Sequence, residues 1–507
     1  MKNRIFVFSL LLLFVFTTAC ENGNQVPENV LKGREMVVTN ELLSTNFVGN
    51  GAQWGGYDIV PTWVNAPTMS DADWNTLYER IDFMRPPFLR LMTTANWSYM
   101  DADANYNPEN DKTVSLYKML DYAQSRNIEI TFGEWGHSHI GSNIADVDAD
   151  WVKNSVKYLD YLVGTKGYTC IKTVNMINEP NGDWSSAKGS FDVWIKVQKM
   201  FIEEMKNYPS LANVSLMGPD VAIFDGTRES AWITRAADSI DANIGLYDIH
   251  VYPKQQIVRN GDYTKMLQAY RDVTPANKRI VLGEIGFKYT EVDADLKARN
   301  EAAIEADPFA SDDSNMMIYE SFYGIDMADG IIQSMIAGFS GALVWSMDDA
   351  MYNFTGSVDN KELKRWGFWN IMGEELCGDA SDEEIRPYFY PASLLCRYFP
   401  AGSNIYKINL PNKKGVRAIM GEKDGKYTIA IVNSHYSSYE INLKSDNLAT
   451  LTLDKYVYKS KAGDEFVGAV NDKGFAVPAA NDVEVNLTAG HGFTLEGESF
   501  VLFTNMD

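Results

Sequence analysis

Residues 173–180 read Thr-Val-Asn-Met-Ile-Asn-Glu-Pro, a short β-rich apolar run that ends in a carboxylate. Residues 280–286 read Ile-Val-Leu-Gly-Glu-Ile-Gly and repeat that arrangement, so Glu179 and Glu284 occupy equivalent positions. A carboxylate directly after a buried strand is costly to desolvate unless it is used or paired. The two stretches therefore indicate strand ends at which a polar site is built.

Short β-rich runs recur through residues 45–350, and longer amphipathic stretches lie between them. The predicted strands are Phe47–Trp54, Phe88–Met92, Ile128–Phe132, Thr173–Ile177, Val214–Met217, Leu246–Val251, Arg279–Gly283 and Ala342–Trp345. Helical patterns such as Asp71–Met84, with Ser70 as the predicted N-cap, occupy the intervals. Strand–helix–strand units predict parallel pairing through right-handed crossovers. Eight such units predict an α/β fold, the (β/α)₈ TIM barrel.

A doubly wound open sheet is the competing fold for these units. Such a sheet would carry a Gly-x-Gly-x-x-Gly turn that opens a helix after the first strand. Gly49, Gly51, Gly55 and Gly56 do not form that pattern, so the barrel is favoured.

The sequence pattern changes at about Arg386, where short alternating runs follow one another through Asn, Gly and Asp turns. This pattern predicts a C-terminal antiparallel β-sandwich. All 12 Trp lie at or before Trp369, so the sandwich is expected to pack against the barrel rather than to stack sugars. The expected organisation is a signal peptide over 1–19, a tether and an N-terminal strand over 20–44, the barrel over 45–380 and the sandwich over 381–507.

The first twenty residues have the pattern of an export signal. Lys2 and Arg4 precede an apolar run, and small residues lead to Cys20. The ending Thr-Thr-Ala-Cys resembles the bacterial lipobox, which implies a lipidated Cys20 and a protein anchored to the bacterial outer membrane. Ordinary secretory cleavage is the alternative. In an exported chain Cys377 and Cys396 are a plausible disulfide pair, and buried reduced thiols are the other possibility.

Composition limits the partners. Lys and Arg total 45 against 68 for Asp and Glu, a formal net charge of −23, which disfavours nucleic acid as a partner. Aromatic residues make up 12% of the chain, with 12 Trp and 27 Tyr. We infer no cofactor and no protein partner from the sequence.

Catalytic groups of a parallel barrel lie at the carboxyl ends of its strands, where Glu179 and Glu284 are expected. Two carboxylates that face each other there can divide the work of glycoside hydrolysis. One, protonated, donates to the leaving oxygen, while the other attacks the anomeric carbon when the two carboxyl groups lie ~5–5.5 Å apart.

The motifs Asn178-Glu179-Pro180 and Gly283-Glu284-Ile285-Gly286 resemble those of the retaining glycoside hydrolases of clan A. The likeness is greatest to family 5, with families 30 and 39 as near alternatives. It implies a β-glycoside hydrolase that acts on a glycan substrate, with Glu179 as acid/base and Glu284 as nucleophile. It also implies that Asn178 binds the sugar 2-hydroxyl.

The resemblance extends to four further residues. It implies that Arg90 holds the nucleophile ionised, that His250 and Tyr252 belong to a His-x-Tyr motif beside it, and that Trp345 floors the first sugar subsite. Alternative interpretations are a barrel ion pair for Arg90, a satisfied core histidine for His250 and simple packing for Tyr252. Other residues that follow predicted strands are expected to contact sugar: Trp54, Glu134, Trp135 and His137.

Two other functions are compatible with parts of this sequence. A catalytically silent glycan-binding lipoprotein would need only the scaffold, and the intact pair of glutamates argues against it. A metal-dependent barrel hydrolase is suggested by His137-Ser138-His139. With five histidines in the chain, and this pair after the third strand instead of the first, we predict no metal site. Trp366 and Trp369 either line the cleft or pack the sandwich.

Overall fold

The computed structural model describes residues 33–57, 68–95, 98–101, 105–135, 148–223, 226–351 and 363–507. In chain order the strands are β1 (Glu35–Ser44), β2 (Gly51–Ala52), β3 (Phe88–Thr93), β4 (Glu129–Glu134), β5 (Ile171–Asn175), β6 (Ser215–Ile223), β7 (Ile244–Val251), β8 (Ile280–Ile285), β9 (Ala342–Val344), β10 (Asn404–Asn409), β11 (Val416–Lys423), β12 (Lys426–Asn433), β13 (Tyr439–Ser445), β14 (Thr450–Ser460), β15 (Phe466–Val467), β16 (Ala480–Asn486), β17 (His491–Leu495) and β18 (Ser499–Thr504). The α-helices are α1 (Asp71–Met84), α2 (Val114–Arg126), α3 (Ala149–Asp160), α4 (Phe191–Met205), α5 (Ser230–Ile240), α6 (Gln255–Asn260), α7 (Asp262–Val273), α8 (Ala294–Ala306), α9 (Ser321–Ile336), α10 (Gly373–Cys377) and α11 (Phe389–Arg397).

Strands β2–β9 form one parallel sheet in the order β2-β9-β8-β7-β6-β5-β4-β3. A parallel bridge between Gln53 and Arg90 joins the two ends of that order. The interior contains a separate apolar cluster: Val48, Phe88, Met217, Leu246, Val281 and Leu343. The predicted (β/α)₈ barrel is confirmed.

Helix α1 illustrates why the barrel helices begin where they do. The Ser70 side chain accepts from the Asp73 backbone N–H, and the Asp73 carboxylate accepts from the Ser70 N–H, which completes a capping box. Apolar residues at helical spacing then bury one face: Trp74, Leu77, Ile81 and Met84. The helix has the bounds predicted from the sequence because both signals agree.

The second sheet has the order β15-β14-β18-β12-β11-β10-β1-β13-β17, with β16 paired to β14. Strand β1 pairs antiparallel with β10 and parallel with β13, so a strand that precedes the barrel completes the C-terminal sheet. The predicted C-terminal sandwich is confirmed as a mixed, mainly antiparallel sheet with its own apolar cluster around Ile429, Leu443 and Phe503.

Helix α9 lies between the barrel and the second sheet, and 14 of its 16 residues are buried. Polar side chains connect it to its neighbours. Asp326 accepts from Arg259 at 2.6 Å, and Asp329 accepts from the Ser434 hydroxyl at 2.6 Å. These contacts help to explain why residues 34–507 behave as one compact unit.

Three cysteines lie in the described residues. Cys170, Cys377 and Cys396 are all free thiols, so the structure contains reduced cysteines rather than a Cys377–Cys396 disulfide. The Cys377 sulfur accepts hydrogen bonds from Arg365 and from Asn370. None of the described helices has the length and apolar character that a membrane span needs.

Candidate active site

Glu179 and Glu284 face each other at the carboxyl end of the barrel. Glu284 lies in β8, and Glu179 lies four residues after β5. One oxygen of each carboxylate and one ring nitrogen of His250 lie within 4.8 Å of one another. The side chains are 13% and 4% exposed for Glu179 and Glu284, respectively. The structure thus brings together two carboxylates that the sequence places about a hundred residues apart.

A β-bulge turns Glu284 into the barrel. Ile249 pairs with Leu282, but the next residue, His250, pairs with Glu284, so Gly283 is the extra residue of β8. A Cβ at Gly283 would lie 2.6 Å from Asp248 Oδ2 and 3.0 Å from the His250 ring. Glycine is therefore required beside the carboxylate, which gives the Gly-Glu motif a structural reason.

Two donors hold the Glu284 carboxylate. Arg90 Nη1 donates to Oε1 at 2.7 Å, and the Tyr252 hydroxyl donates to Oε2 at 2.5 Å. Burial raises the pKa of Glu284, while the cations His250 and Arg90 act in the opposite direction. Arg90 Nη2 also donates to Asn178 Oδ1 at 2.8 Å, so the amide N–H groups of Asn178 are left to donate elsewhere.

Glu179 has a different environment. His250 Nδ1 lies 3.0 Å from its Oε1, and the Trp184 indole N–H donates to its Oε2 at 2.7 Å. Its backbone has a φ of +44°, in the left-handed region that residues with a Cβ seldom adopt. Strained backbone of this kind persists where neighbouring structure enforces it, and it clusters at functional sites.

His250 is completely buried, and both of its ring nitrogens contact carboxylates. Nδ1 lies 3.0 Å from Glu179 and Nε2 lies 2.9 Å from Asp220 Oδ1. Burial opposes protonation, but Asp220 and Glu284 outweigh it and hold the pKa of His250 well above its ordinary value. A protonated imidazole donates through both nitrogens, so His250 links the Glu179 and Asp220 carboxylates in one ion-pair network.

Aromatic rings surround the carboxylates. Trp135 and Trp345 meet edge to face with ring centroids 6.2 Å apart, and the Arg90 guanidinium lies 5.8 Å from the Trp135 ring. Tyr252 packs edge to face on Trp366 at 5.5 Å. Trp184 is 59% exposed. Such rings suit a polar, flat ligand that buries one apolar face.

Trp54 and Glu134 do not reach the site, in contrast to what the sequence suggested. Alternate residues of a strand face opposite sides of the sheet. Gln53 and Gly133, which directly precede Trp54 and Glu134, face the barrel interior, so Trp54 and Glu134 face away from it. Trp54 is fully buried against Tyr122 of α2. Glu134 is buried and accepts from the Tyr99 hydroxyl. Burial raises the pKa of Glu134 to about 8, which suits a protonated structural acid.

Trp369 also lies away from the site, fully buried beside Phe368 and Phe389. It packs the core, whereas Trp366 supports Tyr252. His137 and His139 lie outside the described residues, as does Cys20.

Two residues join the site that the sequence did not single out as site residues. Gln53 Oε1 accepts from Arg90 at 2.8 Å. Asp220 accepts from Arg90 and His250. A signal for Asp220 exists, since it is a carboxylate after an apolar run, but β6 extends to Ile223 and the predicted strand ended at Met217.

No family model matches the chain, and no curated protein matches it. Solved structures match 93% of its length. A GH30 endoxylanase from Clostridium papyrosolvens C71 has 14% identity and a TM-score of 0.56, with 99% of the xylanase covered. An α-L-arabinofuranosidase from Thermotoga maritima has 12% identity and a TM-score of 0.61, with 99% of that chain covered.

AbfB, a family 51 α-L-arabinofuranosidase from Bifidobacterium longum, has 11% identity and a TM-score of 0.63, with 93% of this chain and 99% of AbfB covered. At these identities the likeness concerns the fold. The resemblance to clan A glycoside hydrolases is confirmed at that level: the chain has the barrel-and-sandwich fold found in GH30 xylanases and family 51 arabinofuranosidases.

Proposed function

We propose that this protein is a retaining β-glycoside hydrolase that cleaves O-glycosidic bonds of a polysaccharide or oligosaccharide by double displacement. The observation that carries the proposal is the approach of the Glu179 and Glu284 carboxylate oxygens to within 4.8 Å. Retaining enzymes need carboxyl groups ~5–5.5 Å apart, whereas inverting enzymes need ~6.5–9.5 Å to admit a water between them.

In the first step Glu179, protonated, gives its proton to the glycosidic oxygen as the bond from that oxygen to the anomeric carbon breaks. A Glu284 oxygen forms a bond to the same carbon from the opposite face, giving a glycosyl-enzyme and releasing the aglycone. The Trp184 N–H and His250 orient the Glu179 carboxyl for this transfer. Asn178 has its amide N–H groups available for the sugar 2-hydroxyl.

In the second step a water attacks the anomeric carbon and Glu179, now a carboxylate, takes its proton. The bond from the sugar to Glu284 breaks, and the electron pair returns to that carboxylate. Arg90 and Tyr252 donate to Glu284 and stabilise the charge that redevelops there. Two inversions retain the configuration of the anomeric carbon.

A neutral glycan suits the charge of the chain, since a net charge of −23 disfavours strongly acidic polymers. Structural neighbours include xylanases, arabinofuranosidases and a β-xylosidase, so pentose-containing glycans are the first substrates to test. A glycan-binding protein without catalytic activity is the alternative, because aromatic rings around a pocket also serve binding alone.

The test is proton NMR of the first product formed from a glycan or aryl β-glycoside that the purified protein hydrolyses. We expect the β-anomer before mutarotation, and no turnover by Glu284→Ala at equal thermal stability. Initial release of the α-anomer would overturn the double-displacement mechanism. Tight glycan binding without turnover by the unsubstituted protein would favour the binding alternative.

We also propose that the protein is exported and anchored to the outer membrane through a lipid on Cys20. The charged start, the apolar run and the Thr-Thr-Ala-Cys sequence support this. Growth with an alkyne-bearing fatty acid tests it. We expect label on the full chain and none on Cys20→Ser, and equal labelling of both would contradict the anchor.

A further inference from the structure

Asp220 lies between the groups that hold the two glutamates. It is completely buried, and Arg90 Nη2 donates to its Oδ2 at 3.1 Å. His250 Nε2 lies 2.9 Å from its Oδ1, and the Glu179 backbone N–H donates to its Oδ2 at 3.3 Å. Since Arg90 also binds Glu284 and His250 also binds Glu179, a continuous chain of contacts joins the two carboxylates through Asp220.

We propose that Asp220 is a positioning residue of the hydrolytic site, which fixes Glu179 relative to Glu284 through Arg90 and His250. The inference rests on the proposed function, because it assigns how that function's two carboxylates are held at their separation. It adds a residue that touches neither the bond that breaks nor the attacking oxygen.

The backbone conformation at Asp220 directs its side chain into the barrel. Pro219 pairs with Asp248 and Val221 pairs with Ile249, so Asp220 is a bulge residue of β6. Its φ is +59°, again in the left-handed region. A bulge redirects a side chain that would otherwise follow the strand alternation. Both Asp220 and Glu284 therefore enter the barrel through bulges.

Charge balance in the cluster requires Asp220 to be ionised. Four carboxyl groups face His250. Besides Asp220 and Glu179, Asp248 Oδ2 lies 3.8 Å from Nε2 and Glu284 Oε1 lies 3.5 Å from Nδ1. Burial and Asp220 raise the pKa of Asp248 well above its ordinary value, which favours its neutral form. Burial opposes ionisation of Asp220, but Arg90 and His250 hold its pKa far below its ordinary value.

With Glu179 protonated for the first step, two cations then balance two anions. Arg90 and His250 carry the positive charges, and Asp220 and Glu284 carry the negative ones. An unbalanced buried charge is costly, so removal of the Asp220 charge should release the proton of His250. The imidazole would then be free to turn or to change tautomer, and Glu179 would lose its fixed donor.

Asp220→Asn tests the role, since the amide keeps the size of the side chain and removes its charge. We expect kcat to fall on the order of 100-fold with little change in KM, the loss that misplacement of reacting groups by about 1 Å produces. Asp248→Asn is the matched control. It replaces a neutral acid by a neutral amide in the same cluster, so we expect a much smaller loss.

A second measurement does not depend on turnover. In protein labelled with ¹⁵N-histidine, and with His250 assigned through His250→Gln, the ring nitrogens of His250 should both bear protons at pH 7. In Asp220→Asn they should show the neutral form. A neutral His250 in the unsubstituted protein would overturn the inference.

The possible failures are distinguishable. If Asp220→Asn does not fold, Asp220→Glu keeps the charge and displaces it by one methylene, and we expect it to keep His250 protonated with reduced kcat. Full activity of Asp220→Asn would overturn the positioning role and leave the proposed function standing. If Asp220→Asn does not fold, full activity of Asp220→Glu would have the same meaning. Absence of hydrolysis by the unsubstituted protein would overturn the proposed function and this role with it.

Discussion

Tyr252→Phe removes one of the two donors that hold the proposed nucleophile, and the size of the effect follows from a single contact. The Tyr252 hydroxyl donates to Glu284 Oε2 at 2.5 Å. A hydrogen bond to a charged group contributes about 1.5–3 kcal/mol, and about 1.4 kcal/mol corresponds to one pKa unit. Because the bond favours the ionised form, its loss should raise the pKa of Glu284 by about one to two units.

Attack requires ionised Glu284, so activity is lost as the pH falls through the pKa of this carboxyl. We therefore expect the acid limb of the kcat/KM profile to move upward by about one to two pH units in Tyr252→Phe. The assay is hydrolysis of an aryl β-glycoside at subsaturating concentration across the pH range in which the fold is stable.

Tyr247→Phe provides a matched control, because Tyr247 lies in β7 and Tyr252 directly follows that strand. The Tyr247 hydroxyl donates to Asp241 at 2.8 Å, at the opposite end of β7 from Tyr252. It should leave the acid limb in place. If Tyr252→Phe moved the limb no more than Tyr247→Phe does, Glu284 would not be the group whose ionisation controls attack.

Further predictions concern the acid, the ion pairs and the thiols. Trp184→Phe removes the N–H that binds Glu179 at 2.7 Å, and kcat/KM on glycans with poor leaving groups should fall by about tenfold, with a smaller loss on activated aryl glycosides. Equal losses on both substrates would contradict the role of this contact. Arg90→Met leaves buried carboxylates without their cation, so urea unfolding should show a loss of about 3–5 kcal/mol, and an unchanged unfolding free energy would be inconsistent with the network. A reducing agent should leave the Tm unchanged because the described cysteines are free, whereas a drop in Tm would indicate a disulfide.

Most barrel elements could be predicted from local signals. Helix α1 has both an N-terminal capping box and an apolar face at helical spacing, and the prediction for Asp71–Met84 was confirmed. The eight strands are short apolar runs, and their predicted positions overlap the observed ones. Local sequence does not show which distant strands pair with one another. Strand β1 pairs with β10 and β13 of the C-terminal sheet, and the residues of β1 do not identify those partners.

The site residues could be predicted where the ends of the barrel strands could be predicted. Glu134 and Glu284 each follow a glycine at the end of an apolar run, so the local sequence predicts that both face the site. Only Glu284 faces it, because β8 has a bulge at Gly283, whereas β4 continues in register with β3 through Glu134. A shift of one residue exchanges the two faces of a strand, so the bulge decides which carboxylate enters the barrel.

In the proposed mechanism Glu284 forms a covalent bond to the sugar. Mass spectrometry of the protein after reaction with an activated 2-deoxy-2-fluoro β-glycoside of the sugar it hydrolyses, followed by mapping of the labelled peptide, detects that bond. We expect one added glycosyl group, located on Glu284 and absent from Glu284→Gln. Turnover of the parent glycoside with no trapped adduct, or an adduct on another residue, would contradict it.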